Sequence, residues 1–194
     1  MDFLGLRTLT IMGEAVRQVN SRSEEGKKLQ LASVPLDDAE TFALLSQGET
    51  AGVFQLESSG MRSVLRELKP GKFEDIIAVV ALYRPGPMDQ IPVFIENKHG
   101  VRQVRYLHPE LEPVLKETYG VMVYQEQIME VASRMAGFTL GQADLLRRAI
   151  GKKKKEILDE QRLIFIKGVV AKGFGQKLGE DLYDLIVKFA SYGF

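Results

Sequence analysis

Apolar residues recur every three or four positions along most of this chain, the spacing that places them on one face of an α-helix. The first run extends from Leu6 to Val19, and the last extends from Gln176 to Tyr192. The same spacing, with proline and glycine at the breaks, predicts helices between them at residues 35–47, 61–68, 73–82, 91–98, 109–117, 125–135, 139–150 and 154–172. The pattern therefore predicts a mainly α fold.

Three apolar stretches are too short for a helix and are interpreted as short strands: the N-terminal edge, residues 51–56 and residues 121–123. Residues 21–30 are polar and contain a glycine, which predicts a loop. The chain has no internal repeat and no low-complexity linker. We therefore expect one sizeable helical domain, with at most a small appendage.

Composition excludes several kinds of site. The 26 Lys and Arg residues balance the 26 Asp and Glu residues, so the formal net charge is zero. The absence of cysteine excludes disulfides, thiolate metal sites and cysteine nucleophiles. The two histidines, His99 and His108, are too few for a histidine-rich metal site.

The sequence carries no targeting or membrane signal. No apolar run reaches the roughly 18 residues needed to cross a bilayer, and the N-terminus lacks the features of a secretory signal. We therefore expect a cytoplasmic protein with no membrane partner. Both ends carry core-type residues such as Phe3 and Phe189, which predicts that the 194 residues are a segment of a longer protein.

Net neutrality conceals one basic cluster. Six cations and no anion lie within nine residues, at positions 147, 148 and 152–155. Several cations close together are what a triphosphate or a nucleic-acid backbone requires, because several anionic oxygens must be neutralised at once. The alternative is a solvated helix face, since Asp144 is correctly spaced to pair with Arg147 and Arg148. The cluster alone leaves both interpretations open.

Other candidate segments have ordinary explanations as well. Tyr83 and Arg84 precede a proline-rich turn that could present an aromatic ring and a cation, or could simply end a helix. Residues 124–127 begin a helix with polar side chains that could bind a base or could form a cap. Asp2 would be costly to bury beside Phe3 and Leu4 unless it bound a cation, but it could equally be exposed. The chain has no glycine-rich phosphate loop.

Five motifs in order resemble those of the bacterial replicative C-family DNA polymerases, the family of the DNA polymerase III α subunit. The motifs are DFLGLRTLT at 2–10, GVFQLES at 52–58, YRPGPM at 83–88, YGVMVYQEQ at 119–127 and ADLLRRAIGKK at 143–153. The resemblance covers essentially the whole chain. It implies a multi-helix fingers domain at residues 35–194, truncated before its C-terminal end, with a palm remnant of a strand and a helix at residues 1–34.

The resemblance also implies a reaction. The family adds a deoxynucleotide to a primer by DNA-directed nucleotidyl transfer during chromosomal replication, using Mg²⁺ held by three palm aspartates. Asp2 matches one of these aspartates, and the motif with the other two is not in this chain. We therefore expect Asp2 to be a catalytic metal ligand in an incomplete site, and the fragment alone to be inactive and to bind no Mg²⁺.

Site residues and partners follow from the same resemblance. The residues matched to the triphosphate-binding helix are Arg147, Arg148, Lys152 and Lys153, and the weaker candidates near the nucleotide are Arg84 and Tyr83. Gln125, Gln127 and residues 54–58 are interpreted as scaffold or template contacts. The implied partners are primer–template DNA and deoxynucleoside triphosphates, with the sliding clamp, the proofreading exonuclease subunit and clamp-loader components contacting other regions of the full chain.

Two alternatives compete with the polymerase interpretation. The basic cluster could belong to a helical nucleic-acid-binding module with no catalytic role, whose binding to DNA would depend steeply on salt. It could also be a solvated face of a helical domain that binds proteins or serves only a structural role.

Overall fold

The computed structural model describes residues 5–24, 27–151 and 155–190. Ten helices lie in these ranges: α1 (Arg7–Asn20), α2 (Ala39–Gln47), α3 (Ser59–Leu68), α4 (Phe73–Leu82), α5 (Ile91–Lys98), α6 (Glu112–Leu115), α7 (Gln125–Ala136), α8 (Leu140–Gly151), α9 (Lys155–Ala171) and α10 (Gln176–Ala190). Four single 3₁₀ turns lie at Leu31–Ser33, Pro87–Gln90, Pro109–Leu111 and Lys116–Thr118. The predicted mainly α fold is confirmed.

The described helices pack around two hydrophobic cores. The first core contains the buried faces of α2 to α5, with Leu65 and Phe94 at its centre. The second core contains the buried faces of α6 to α10, with Phe165 and Leu182 at its centre. In contrast, α1 has no buried residue. No helix in the described ranges is long and apolar enough to cross a membrane.

Side-chain caps fix the ends of several helices where the sequence predicts them. Asp38 caps α2 by accepting a hydrogen bond from the backbone N–H of Thr41 at 2.7 Å. Gly48 ends that helix in the left-handed conformation, with φ of 69°. Ser58 accepts from the N–H of Met61 at 3.3 Å and so begins α3.

The strand predicted at residues 51–56 is wrong. This segment is a series of turns, in which Gly52 has a φ of 77° and Gln55 a φ of 63°. Both values lie in the left-handed region, which a strand does not use. The hydroxyl of Thr50 donates to the carbonyl of Leu56 at 2.5 Å and closes the turns into a compact loop.

The strand predicted at residues 121–123 is also wrong, for a different reason. Val121 and Val123 pack into the first core, whereas Met122 packs into the second core. Side chains that alternate in this way produce the sequence pattern of a strand. In the described structure, however, the segment has no strand beside it, and it crosses the boundary between the cores.

At the N-terminal edge, residues 1–4 lie outside the described ranges, and residues 5 and 6 lead into α1 without forming a strand. The helix predicted for the palm remnant is present as α1, but the described N-terminal residues give no support to a palm remnant built on a sheet. The domain boundary at residue 34 stays a prediction.

A buried carboxylate ties the first core to the chain that leads into the second. Asp75 on α4 is only 1% exposed and accepts hydrogen bonds from the N–H groups of Gly71 at 2.9 Å and Lys72 at 3.3 Å. It also accepts from the Tyr119 hydroxyl at 2.7 Å, and the Lys98 ammonium lies 3.6 Å away. Burial raises the pKa of Tyr119, and the hydrogen bond to Asp75 raises it further.

Candidate functional site

Helix α8 holds the two arginines of the basic cluster in a fixed orientation. Its first turn is closed by reciprocal bonds, in which the Thr139 N–H donates to Gln142 Oε1 at 2.9 Å and the Gln142 N–H donates to Thr139 Oγ1 at 3.3 Å. Three residues at a spacing of three, Ala143, Leu146 and Ala149, are buried against the second core. The opposite side of α8, with both arginines, is left accessible.

Arg147 and Arg148 share one carboxylate. Arg147 Nη2 lies 2.7 Å from Asp144 Oδ1, and Arg148 Nε lies 2.7 Å from Asp144 Oδ2. The hydrogen bond from Arg147 lowers the pKa of Asp144, and the charge of Arg148 acts in the same direction. The pairing that favours a solvated face is therefore present. The three side chains nevertheless carry one net positive charge.

The side chains of the two arginines differ in how freely they can move. The Arg147 side chain is 29% exposed, and its Nη1 also donates to Gln125 Oε1 at 2.9 Å. Gln125 is the first residue of α7, so this bond joins two helices. The Arg148 side chain is 63% exposed and extends further into solvent. Arg147 is thus held from two sides, while Arg148 can reorient toward a ligand.

Gln127 belongs to the scaffold. Its Oε1 accepts from the N–H groups of Val123 at 2.8 Å and Tyr124 at 3.0 Å. Its Nε2 donates to Thr118 Oγ1 at 2.8 Å and to the Val114 carbonyl at 3.2 Å. With four partners, this buried amide fixes the start of α7 and thereby the position of Gln125.

Tyr83 and Arg84 lie at the end of α4, and Tyr83 packs against the first core. The Tyr83 hydroxyl packs so closely against Gly60 that a Cβ at position 60 would collide with it. Arg84 Nε donates to the Ala81 carbonyl at 2.8 Å and so satisfies the last turn of α4. Both side chains are partly accessible and have structural roles in the turn.

Residues 54–58 combine surface and scaffold positions. Phe54 is 49% exposed, Leu56 is buried in the first core, and Ser58 caps α3. Asp2, Lys152 and Lys153 lie outside the described residues, so their predicted roles stay predictions.

Gln125 contacts the arginine pair. The sequence predicts a scaffold or template contact for Gln125, and the structure shows its Oε1 accepting a hydrogen bond from Arg147. The two residues are 22 positions apart and on different helices, so no local spacing rule relates them.

Comparison with known proteins relates this arrangement to one family. The family model described as the bacterial DNA polymerase III alpha subunit finger domain matches residues 8–173, which include α8 and both arginines. The chain belongs to this family. Residues 8–34, predicted to be the end of the palm, lie within the match to the finger domain.

Curated relatives of this finger-domain chain are DNA polymerase III alpha subunits. The chain is 59% identical to that of Halalkalibacterium halodurans and 58% identical to that of Bacillus subtilis strain 168, in both cases over all 194 residues and 17% of the relative. It is 52% identical to that of Staphylococcus aureus strain COL, covering 18% of that protein. The chain thus spans less than a fifth of the length of these relatives.

Metal-ligating side chains are not clustered in the described part of the chain. It contains no group of three or more His, Asp or Glu side chains that could hold a metal ion. The predicted Mg²⁺ ligand, Asp2, lies outside it.

Proposed function

We propose that this chain is the finger domain of a replicative DNA polymerase, and that Arg147 and Arg148 bind the phosphates of the incoming deoxynucleoside triphosphate. The observation that carries the proposal is the pair of guanidinium groups that share the single carboxylate of Asp144. The family match supports the assignment to a polymerase.

The geometry suits an exchange of anions. Each guanidinium presents several N–H donors in a plane, and phosphate oxygens accept them in pairs. An arriving triphosphate replaces Asp144 as the partner of the exposed Arg148 and adds to the partners of Arg147. Gln125 keeps Arg147 oriented throughout, so less side-chain freedom is lost on binding.

In the reaction, the two arginines offset the negative charge that builds on the leaving pyrophosphate. Lys152 and Lys153 are proposed to extend the same cationic surface, and Tyr83 and Arg84 to lie near the nucleotide. The Mg²⁺ ions would stabilise the attacking and leaving oxygens, and Asp2 is the residue of this chain proposed to contribute a ligand. Primer–template DNA is the proposed polymeric substrate. The sliding clamp, the exonuclease subunit and clamp-loader components are proposed to contact other regions of a cytoplasmic polymerase.

The test is the Arg148→Gln variant in the full polymerase. Loss of a charge-assisted hydrogen bond costs about 1.5–3 kcal/mol, so kcat/KM for the deoxynucleotide is expected to fall roughly 10- to 100-fold. The affinity for primer–template, measured by fluorescence anisotropy, is expected to change less than about twofold, because Arg148 is assigned to the nucleotide.

Arg134→Gln is the matched control. Arg134 lies on α7, is partly exposed, and pairs with Glu130 four residues earlier, so it undergoes the same chemical change outside the proposed site. Its kcat/KM is expected to stay near that of the unmodified enzyme. An unchanged kcat/KM for Arg148→Gln, or a loss confined to DNA affinity, would contradict the assignment and favour the non-catalytic nucleic-acid-binding module.

A further inference from the structure

A second cationic site lies away from α8, in a cavity of about 550 Å³ lined by residues of both cores. The exposed loop after α5 contributes Arg102, Gln103 and Arg105, and the 3₁₀ turn before α5 contributes Gln90. Phe189 of α10 lines it from the side of the second core. The volume lies within the range typical of small-ligand pockets.

The described lining of this cavity has a strong charge bias. It contains two arginines and no carboxylate. Arg102 has Glu96 at 4.0 Å, the outer limit of an ion pair, and its side chain is 60% exposed. Arg105 is exposed and makes no hydrogen bond or ion pair within the described part of the chain.

The backbone that forms the wall is held in place. Asn97 Nδ2 donates to the Tyr119 carbonyl at 2.8 Å, which fixes the chain where it enters the cavity wall. The next residue, Gly120, has a φ of 82°, and a Cβ there would lie 2.6 Å from Cγ1 of Val104. Only glycine permits this approach of the exposed loop to the wall. These two contacts fix one wall of the cavity.

The lining combines three kinds of group: guanidinium groups for an anion, amides that both donate and accept hydrogen bonds, and an aromatic ring beside apolar side chains. A nucleotide unit carries the complementary groups, namely a phosphate, the polar edge of a base and a flat base face. A simple inorganic anion would use the arginines but would leave the ring and the amides without a role.

We propose that this cavity binds one nucleotide unit, with the phosphate on Arg102 and Arg105 and the base against Phe189 and the amides. The site is separate from the proposed triphosphate site on α8 and does not depend on it. The phosphate can belong to a free nucleotide or to the phosphodiester backbone of single-stranded DNA, and the two sources share the same chemistry.

The experiment uses the full polymerase carrying Arg147→Gln and Arg148→Gln, without divalent metal, so that the first site contributes little. Hydrogen–deuterium exchange is followed at the backbone amides of residues 101–106 and 119–121. The probes are deoxyadenosine monophosphate and an oligodeoxythymidine of eight nucleotides. We expect slower exchange at these amides with at least one probe. Protection by the monophosphate indicates a free nucleotide, and protection by the oligonucleotide alone indicates a strand.

Variants of the lining assign the protection to this cavity. Arg105→Gln and Arg102→Gln are each expected to raise the probe concentration for half-maximal protection about tenfold, which corresponds to the loss of one charge-assisted contact. Arg17→Gln is the control, because Arg17 is an exposed arginine on α1 paired with Glu14, and it should leave that concentration unchanged.

Two results would overturn the proposal: protection by neither probe, or an equal effect of Arg17→Gln and Arg105→Gln, which would indicate only general electrostatic attraction. The triphosphate assignment is tested separately, because the effect of Arg148→Gln on kcat/KM is measured in the otherwise unmodified enzyme, where Arg102 and Arg105 are intact. The two sites can therefore fail independently.

Discussion

At the scale of single residues, the two neighbouring arginines of α8 show how the position of a residue on a helix determines the conformational freedom of its side chain. Arg147 is fixed between Asp144 and Gln125. Arg148 is mostly exposed and, among the described residues, pairs with Asp144 alone. A ligand that bound both would find one guanidinium already oriented and one able to adjust. This division limits the loss of side-chain entropy on binding.

Tyr183 provides a prediction about pH at the same scale. Its hydroxyl donates to the Leu158 carbonyl at 2.6 Å, and burial raises its pKa to about 12, although the charge of Arg162 acts to lower it. Above pH 10 the unfolded chain loses the phenolic proton while the folded chain retains it. The free energy of unfolding should therefore fall as the pH rises from about 10 to 12, by up to about 3 kcal/mol from this residue.

Urea denaturation at several pH values measures the slope of the free energy of unfolding against pH. Tyr183→Phe should reduce this slope, because phenylalanine has no phenolic proton to lose. The comparison rests on the slope rather than on the absolute stability, since the variant also loses the hydrogen bond to Leu158. An identical slope in the variant would show that Tyr183 does not hold its proton in this way.

The sequence predicts part of the candidate site and not the rest. The pairing of Asp144 with both arginines follows from helical spacing alone, and the structure confirms it. The contact between Gln125 and Arg147 depends on how α7 and α8 pack, which no local pattern specifies. The different roles of Gln125 and Gln127 likewise emerge only when the buried partners of Gln127 are known.

At the scale of elements, helices were predictable where a cap or a breaker marks the boundary. The structure confirms residues 73–82 and 91–98 to the residue, and Asp38 caps α2 as a carboxylate at that position should. The predicted strands were wrong because alternating side chains and short apolar runs also occur in extended segments and in turns that pack between helices. Sequence alone does not reveal whether a partner strand exists.

Close contact between two helices gives a second prediction. Gly168 of α9 lies against the last turn of α7, where a Cβ would collide with the Ala136 carbonyl oxygen. Gly168→Ala should therefore force the helices apart and destabilise the protein by about 2 kcal/mol or more. Gly141→Ala is the matched control, because the space around Gly141 on α8 is open and alanine favours helix.

Thermal denaturation of both variants measures the difference. The free energy of unfolding of the Gly141→Ala control should stay unchanged or rise by up to about 1 kcal/mol. A Gly168→Ala protein as stable as the control would mean that α9 does not approach α7 as closely as the structure shows.

At the scale of the whole molecule, Asp75 connects parts that are distant in sequence. It joins the start of α4, the end of α5 and Tyr119, so it links the first core to the chain entering the second. A buried carboxylate with this many donors is stable only while the donors remain.

Asp75→Asn should therefore destabilise the protein by roughly 2–4 kcal/mol, because an amide cannot accept all these bonds and leaves Lys98 without its buried partner. Glu74→Gln makes the same change one residue earlier, where only the favourable charge at the helix start is lost, and should cost below about 1 kcal/mol. If guanidinium denaturation showed equal losses of unfolding free energy for Asp75→Asn and Glu74→Gln, Asp75 would act only through the helix dipole.

The alternation at residues 121–123 also limits how this chain can change in length during evolution. Deleting or inserting one residue just before Val121 would reverse which side chain faces which core, so that Met122 would compete for space shaped for valine. Related sequences should therefore keep a constant number of residues between Thr118 and Gln127.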